Sequence, residues 1–194
     1  VGLVEYRDRG DEFVTRTTQM TTNLEGLSTR IAGLSANGGG DTPEHVNEAI
    51  RVAIDRLKWK PGSVARLVFL IGDAPPHLDY QDDSGYTNAV KQANHHGIQI
   101  YTIAASGMDR TGQVVFRQIA KLTGGTHMFV LRGGAGPQSS GAGDARSSCG
   151  GTHDNYRSGN LDELIPKSLI KLRKAHRQNR AFRLSCLLCA SIYL

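Results

Sequence analysis

The chain has few cysteines, no long apolar run and none of the common catalytic motifs. Its 194 residues include three cysteines, and an odd number at these spacings does not form the disulfide framework of a small secreted domain. A membrane-spanning helix needs about 18 consecutive apolar residues, and the sequence contains no such run. Gly-x-Ser-x-Gly, His-Glu-x-x-His and a phosphate loop with Gly-Lys-Ser/Thr are also missing. These absences favour a domain that is not an enzyme.

Acidic residues are absent from the last part of the chain, and this makes the charge uneven. Residues 164–194 carry seven Lys/Arg and no Asp/Glu, whereas residues 1–163 carry 16 Lys/Arg against 18 Asp/Glu. The net charge of +5 therefore resides in the tail. This pattern favours a solvated or membrane-surface-seeking terminal segment, and it is only a weak argument for nucleic-acid binding.

The length fits one domain with a sizeable core, followed by a tail. We expect the domain to occupy residues 1–176, with a glycine-rich loop at 132–159, and residues 177–194 to form a disordered tail, first basic and then apolar. The chain begins at Val1 within an apolar run, so we expect a fragment or a processed product. No secretory signal can be read from this start, and the sequence leaves the cellular location and the oligomeric state open.

Apolar periodicity predicts alternating strands and helices. Strands at 1–6 and 12–21 flank a polar turn and predict a hairpin. Further predicted strands cover 65–71, 98–104 and 127–131, and predicted helices cover 24–34, 43–58, 87–96, 113–122 and 161–172. Strand 65–71 is apolar on both faces, as expected of a central parallel strand. The alternation predicts an α/β fold: a doubly wound, mostly parallel open sheet with helices on both faces and one antiparallel edge hairpin.

Two oxygen-bearing residues stand where such a fold binds ligands, at the carboxyl ends of its strands. Asp73 directly follows strand 65–71, and the glycines at 38–40 lead to Thr42 at the start of the next helix. A hydroxyl and a carboxylate, completed by water, suit Mg²⁺. Taken singly, each residue also has a structural explanation, since Thr42 can cap the helix ahead of Pro43 and Asp73 can form a turn. Their shared order and spacing favours a hard-cation site.

At these residues the chain resembles the von Willebrand factor A domain family. The segments that carry the resemblance follow one another in the family's order, at 1–8, 39–43, 47–50, 70–77, 97–103 and 119–125. The resemblance extends to about residue 131 and to the predicted last helix, and it is strongest to bacterial members and to those attached to alpha-kinases. It implies a first strand, absent from this chain, in the centre of the sheet between the strands at 1–6 and 65–71.

The resemblance implies a metal-ion-dependent adhesion site. In such a site Thr42 would bind Mg²⁺ directly, Asp73 would hold a coordinated water, and a partner protein would supply a carboxylate; Mn²⁺ or Ca²⁺ could take the same place. The family's Asp-x-Ser-x-Ser element does not occur in the 194 residues, so three of the five implied protein ligands are missing. We therefore expect this chain to bind the metal weakly or not at all.

The absent strand also predicts a structural defect. Both of its neighbours would lose a ladder of backbone hydrogen bonds, and each buried unpaired group costs about 1–3 kcal/mol. Against a total stability of about 5–15 kcal/mol this loss is large. We expect the chain to be unstable or to close its sheet abnormally.

We interpret the chain as a non-catalytic protein-interaction domain that in complete form binds an acidic partner residue through a divalent metal. The alternative is a Mg²⁺-dependent hydrolase or transferase of doubly wound topology, which would need a second acidic strand end. A third interpretation is a binder of nucleic acid or anionic membranes through the basic residues from Lys167 to Arg183.

Three other features receive structural interpretations. The acidic insertion at 77–83 lies beside the proposed site and is interpreted as a solvated loop. Arg9-Gly10-Asp11 spells a cell-attachment tripeptide but is interpreted as the turn of the hairpin. Cys186-x-x-Cys189 has no second ligand pair, so neither a zinc site nor a redox pair is expected there.

Overall fold

Strands and helices alternate along most of the chain. The computed structural model describes residues 1–34, 43–62, 64–105, 108–129, 157–158, 170 and 183–190. The strands are β1 (Gly2–Tyr6), β2 (Thr15–Thr18), β3 (Val64–Gly72), β4 (Ile98–Ala104), β5 (His127–Phe129), β6 (Arg157–Ser158) and β7 (Arg183–Ala190). The helices are α1 (Leu24–Ala32), α2 (Val46–Asp55), α3 (Gly85–His95) and α4 (Arg110–Leu122).

These strands form one sheet in the order β2-β1-β7-β3-β4-β5-β6. β1 and β2 are antiparallel and make the predicted hairpin at one edge, and every other pairing in the sheet is parallel. The predicted class, a mostly parallel open sheet with one antiparallel edge hairpin, is confirmed.

Apolar side chains bury the sheet on both faces. On one face, Val4, Val68 and Ile100 pack in a single core with residues of α2, α3 and α4. On the other face lies α1, because its Arg30 guanidinium binds the carboxylate of Glu5 at 2.6 and 3.0 Å, and side chains alternate along β1. β3 is buried on both sides, as its continuous apolar sequence predicts.

The centre of the sheet is occupied by β7, in a region for which the sequence predicts a disordered tail. β7 pairs in parallel with β1, from Gly2↔Leu187 to Glu5↔Ala190. It also pairs in parallel with β3, from Val64↔Arg183 to Ile71↔Ala190. This is the place between β1 and β3 where the family resemblance puts a first strand.

The prediction of a disordered tail is therefore wrong for residues 183–190. The physical reason is that β1 and β3 leave a gap whose backbone groups need partners, and β7 pairs with both of them. Apart from Arg183 the segment carries no charge, so it can enter the sheet centre at little desolvation cost. Cys189 is fully buried and packs in the hydrophobic core.

Several predictions concern residues outside the described ranges. These are most of the glycine-rich loop at 132–159, the predicted last helix at 161–172 except residue 170, and the basic residues between 167 and 180. Inside the predicted loop, the two residues of β6 pair with β5. In the part of the chain that the structure describes, no helix is both long enough and apolar enough to cross a membrane.

Candidate functional site

The carboxyl ends of β1, β7 and β3 point to the same edge of the sheet, because these strands run parallel. Asp73 follows β3 directly, as the sequence predicts, and Asp8 lies two residues beyond β1. Asp73 is half-buried, and its Oδ1 atom is shielded from solvent. Thr42, the other predicted ligand, and the glycines at 38–40 lie outside the described residues.

The start of α2 is held at this edge by backbone hydrogen bonds. The Glu44 N–H donates to the Pro75 carbonyl at 2.8 Å, and the His77 N–H donates to the Glu44 carbonyl at 3.1 Å. Glu44 and Pro76 thereby form a parallel β-bridge. The segment just before α2 is therefore fixed beside the segment that follows Asp73, which is the arrangement that the metal-site hypothesis requires.

The described residues do not make a complete cation site. Within the described ranges, no group of three or more His, Cys, Asp or Glu could hold a metal ion. Mg²⁺ takes octahedral oxygen coordination, and Asp73 alone supplies little of it. A metal at this edge would need oxygen ligands in addition to Asp73.

The loop at 77–83 packs against the residue that follows β1. The Tyr80 hydroxyl lies 2.9 Å from each carboxylate oxygen of Asp8 and donates its proton to this carboxylate. The His77 ring stacks on the Tyr80 ring at 3.9 Å, and its Nε2 atom lies 3.3 Å from Asp8 Oδ2. Asp8 and His77 are both buried. The solvated-loop interpretation is therefore wrong for His77 and Tyr80, although Leu78 and Asp79 in the same loop are exposed.

Arg9 packs on the Tyr80 ring and binds Asp82 at the surface. Its guanidinium lies 4.0 Å from the centre of the Tyr80 ring and 2.9 Å from Asp82 Oδ1. The hydrogen bond between Arg9 and Asp82 raises the pKa of Arg9 and lowers the pKa of Asp82. Gly10 has a φ of +94°, which fits the turn interpretation of Arg9-Gly10-Asp11. We name Asp8, Arg9, His77 and Tyr80 the edge cluster.

His45 joins the edge cluster to the start of α2. Its Nε2 atom accepts a hydrogen bond from Arg9 Nε at 3.2 Å, so this nitrogen carries no proton. Burial lowers the pKa of His45, although the nearby Asp83 carboxylate opposes this effect. His45 is therefore a neutral acceptor at neutral pH, and Arg9 is held by three different groups.

Replacing Tyr80 with Phe is expected to lower the free energy of unfolding by about 1.5–3 kcal/mol, since a buried carboxylate loses a donor. The ring and its stacking on His77 remain. Urea denaturation followed by circular dichroism measures the change. Tyr101→Phe is the matched control, because Tyr101 is at least as buried as Tyr80 and no hydrogen bond of its hydroxyl occurs within the described residues. Equal losses in the two variants would contradict the role given to the Tyr80 hydroxyl.

Sequence reasoning predicted the position of Asp73 directly after a central strand but missed the edge cluster. Asp8 could have been found by the same criterion, since it also follows a parallel strand at the carboxyl edge. The sequence does not mark His45 and Asn47 in this way, because both lie among polar residues at the start of an amphipathic helix. Their burial results from the loop at 77–83 folding over them, and no local pattern encodes that contact.

Comparison with known proteins agrees with this architecture. The family model described as von Willebrand factor A domain matches residues 3–132. A protein of Acanthamoeba polyphaga mimivirus, named as the ariadne-like RING finger protein R811, is 34% identical over 77 residues, which make up 40% of this chain and 7% of that protein. No solved structure matches the chain. The chain belongs to the von Willebrand factor A domain family, whose domains are generally protein-interaction modules and not enzymes.

Proposed function

We propose that this domain is a non-catalytic protein-interaction module that binds its partner at the carboxyl edge of the sheet. Open α/β sheets bind ligands at this edge. The observation that carries the proposal is the position of Asp73 directly after β3, beside the backbone that leads into α2. The edge cluster adds a preorganised polar surface next to it, so a partner would meet side chains that are already fixed.

The partner contact that we propose is a metal-mediated one. In a chain that also carries an Asp-x-Ser-x-Ser element, Thr42 would bind Mg²⁺ directly and Asp73 would hold one of its waters. The metal would supply positive charge for an acidic side chain of the partner protein, and Mn²⁺ or Ca²⁺ could replace Mg²⁺. Because the described residues alone do not fit a complete site, the chain of 194 residues should bind the metal weakly or not at all.

Calorimetric titration of Mg²⁺ and Mn²⁺ into two proteins tests this proposal. One is the chain itself, and the other lacks residues 183–194 and carries at its N-terminus a strand with the Asp-x-Ser-x-Ser element, so that the added strand can pair with β1 and β3. We expect binding by the extended protein only. Thr42→Ala removes a metal ligand, and Asp73→Ala removes the carboxylate that holds a metal-bound water. Each substitution should therefore abolish the binding.

Asp79→Ala is the matched control, because the Asp79 side chain is 76% exposed in the loop at the same edge. It should leave the metal affinity unchanged. If the folded extended protein binds neither ion, the metal-mediated contact is wrong, and a metal-independent surface at the edge remains as the partner site.

A further inference from the structure

A cavity of about 180 Å³ lies between the edge cluster and the start of α3. Its lining includes the polar residues Asn47 and Asp83 and the largely apolar side chains of Leu78, Tyr80 and Tyr86. Pockets for drug-sized ligands have about 300–1,000 Å³. The cavity is therefore of a size that suits the end of one side chain.

Asn47 presents a buried acceptor without a donor. Its Nδ2 group donates to the His77 carbonyl at 3.0 Å and to Asp83 Oδ2 at 2.6 Å. Both partners are acceptors, so the orientation of the amide is fixed. Asn47 is 3% exposed, and its Oδ1 atom has no hydrogen-bond partner within the described part of the chain. A buried acceptor in this state is destabilising, and the fixed amide holds the Asp83 carboxylate at the wall of the cavity.

Asp83 presents a buried negative charge with neutral partners. Its side chain is 10% exposed and accepts hydrogen bonds from Asn47 Nδ2 and, at 3.1 Å, from the Gly85 N–H at the start of α3. A carboxylate offers about four acceptor sites, so about half of them are unused. Among the described residues, the one basic group within 4.0 Å is His45 Nδ1 at 3.9 Å, and burial keeps this ring neutral.

We propose that this cavity binds the basic side chain of a partner protein, a lysine ammonium or an arginine guanidinium, with the Asp83 carboxylate as its acceptor. An ammonium brings three donors and a guanidinium five, which can pair with the unused acceptor sites of Asp83 and with its negative charge. The hydrocarbon stem of such a side chain would pack on Leu78, which is 56% exposed, and on the Tyr86 ring.

An acidic or a neutral ligand group fits the cavity poorly. A carboxylate would bring more acceptors beside Asp83, and an apolar group would leave the unused acceptor sites of Asp83 unpaired. The inference rests on the proposed function for the source of the side chain, a partner protein, but it does not depend on the metal. A partner would accordingly carry a basic residue for the cavity beside the acidic residue proposed for the metal.

The test is an NMR titration of the ¹⁵N-labelled chain in buffer with EDTA. The probes are N-acetyl-lysine methylamide and the same compound with an acetylated, neutral side chain. We expect saturable shifts of the Asn47 side-chain amide and of the Gly85 N–H with the charged probe, and at least tenfold weaker binding of the neutral one. Equal affinity of the two probes, or no shift of these signals, would overturn the inference.

Asp83→Asn should weaken binding of the charged probe at least tenfold. Asp82→Asn makes the same charge change one residue away on a carboxylate that is 73% exposed, and it should alter the affinity less than threefold. Equal losses in the two variants would overturn the inference. If Asp83→Asn does not fold, the comparison of the two probes on the unchanged chain decides.

Because the titration contains no metal, its outcome is independent of the proposed metal contact. A negative result here leaves the Mg²⁺ experiment unaffected. A negative Mg²⁺ experiment likewise leaves the basic-side-chain cavity standing.

Discussion

Removing residues 183–194 is expected to abolish the cooperative folding of this domain. β7 pairs along its whole length with β3 and along half of it with β1. Its removal leaves backbone groups of two central strands without partners, at about 1–3 kcal/mol for each buried group. The combined cost of a few such groups equals the whole free energy of unfolding of a typical domain, about 5–15 kcal/mol. The truncated chain also loses Cys189 from its core.

Thermal and urea unfolding followed by circular dichroism would show this loss. Removal of residues 191–194 alone is the control, because these residues follow β7 and the strand stays in place. That shorter deletion should change the midpoint little. A peptide of residues 183–194, added to the truncated chain, should restore a cooperative transition. If the chain of residues 1–182 unfolds at the midpoint of the full chain, the central role of β7 is refuted.

Lowering the pH from about 6.5 to about 4 is expected to cost about 3 kcal/mol of stability through His127 alone. His127 is buried on β5, where its Nδ1 atom lies 2.9 Å from the Thr102 hydroxyl. That hydroxyl donates to the Phe116 carbonyl at 3.0 Å, so the histidine Nδ1–H is the donor to Thr102. Burial, and to a smaller extent the charge of Arg117, lowers the pKa of His127 to about 4.

The direction of the effect follows from proton counting. Between about pH 6.5 and 4 the unfolded chain protonates this histidine and the folded chain does not, so stability falls as the pH falls through this window. Above about pH 6.5 the ring is neutral in both states, and His127 adds no pH dependence. Each pKa unit corresponds to about 1.36 kcal/mol, which gives the stated magnitude.

Urea denaturation at a series of pH values between 4 and 7.5 measures this dependence. His127→Asn can keep a donor toward Thr102 and removes the titrating ring, so the slope in this window should shrink. His95→Asn, at the exposed end of α3, is the matched control and should retain the slope. A slope that is the same in both variants would show that other groups cause the acid sensitivity.

Most elements of the fold could be predicted from apolar periodicity, with bounds within three residues of those observed. The middle of an element is set by the residues that it buries, whereas its ends are set by hydrogen bonds to other segments. α2 shows the difference: its apolar repeat predicts a helix from residue 43, but the backbone at Glu44 instead pairs with Pro75 and His77. The helix therefore begins only at Val46.

The parts that sequence reasoning missed depend on contacts between distant segments. Asp73 could be placed because it follows a strand whose sequence marks it as central. Asn47 and Asp83 come together only when the loop at 77–83 folds onto α2, so neither residue has a local signal for burial. β7 escaped prediction for a related reason, because its place depends on a gap between β1 and β3 that belongs to the sheet as a whole.

The position of β7 also determines when this domain can fold during synthesis. The ribosome makes β1, β2 and β3 early, but the strand that joins β1 to β3 is made after every other described element. Domains usually fold as units as they leave the ribosome, with N-terminal parts first. Here β1 and β3 must wait with open edges until β7 emerges, so the nascent chain is exposed to edge-to-edge aggregation until then.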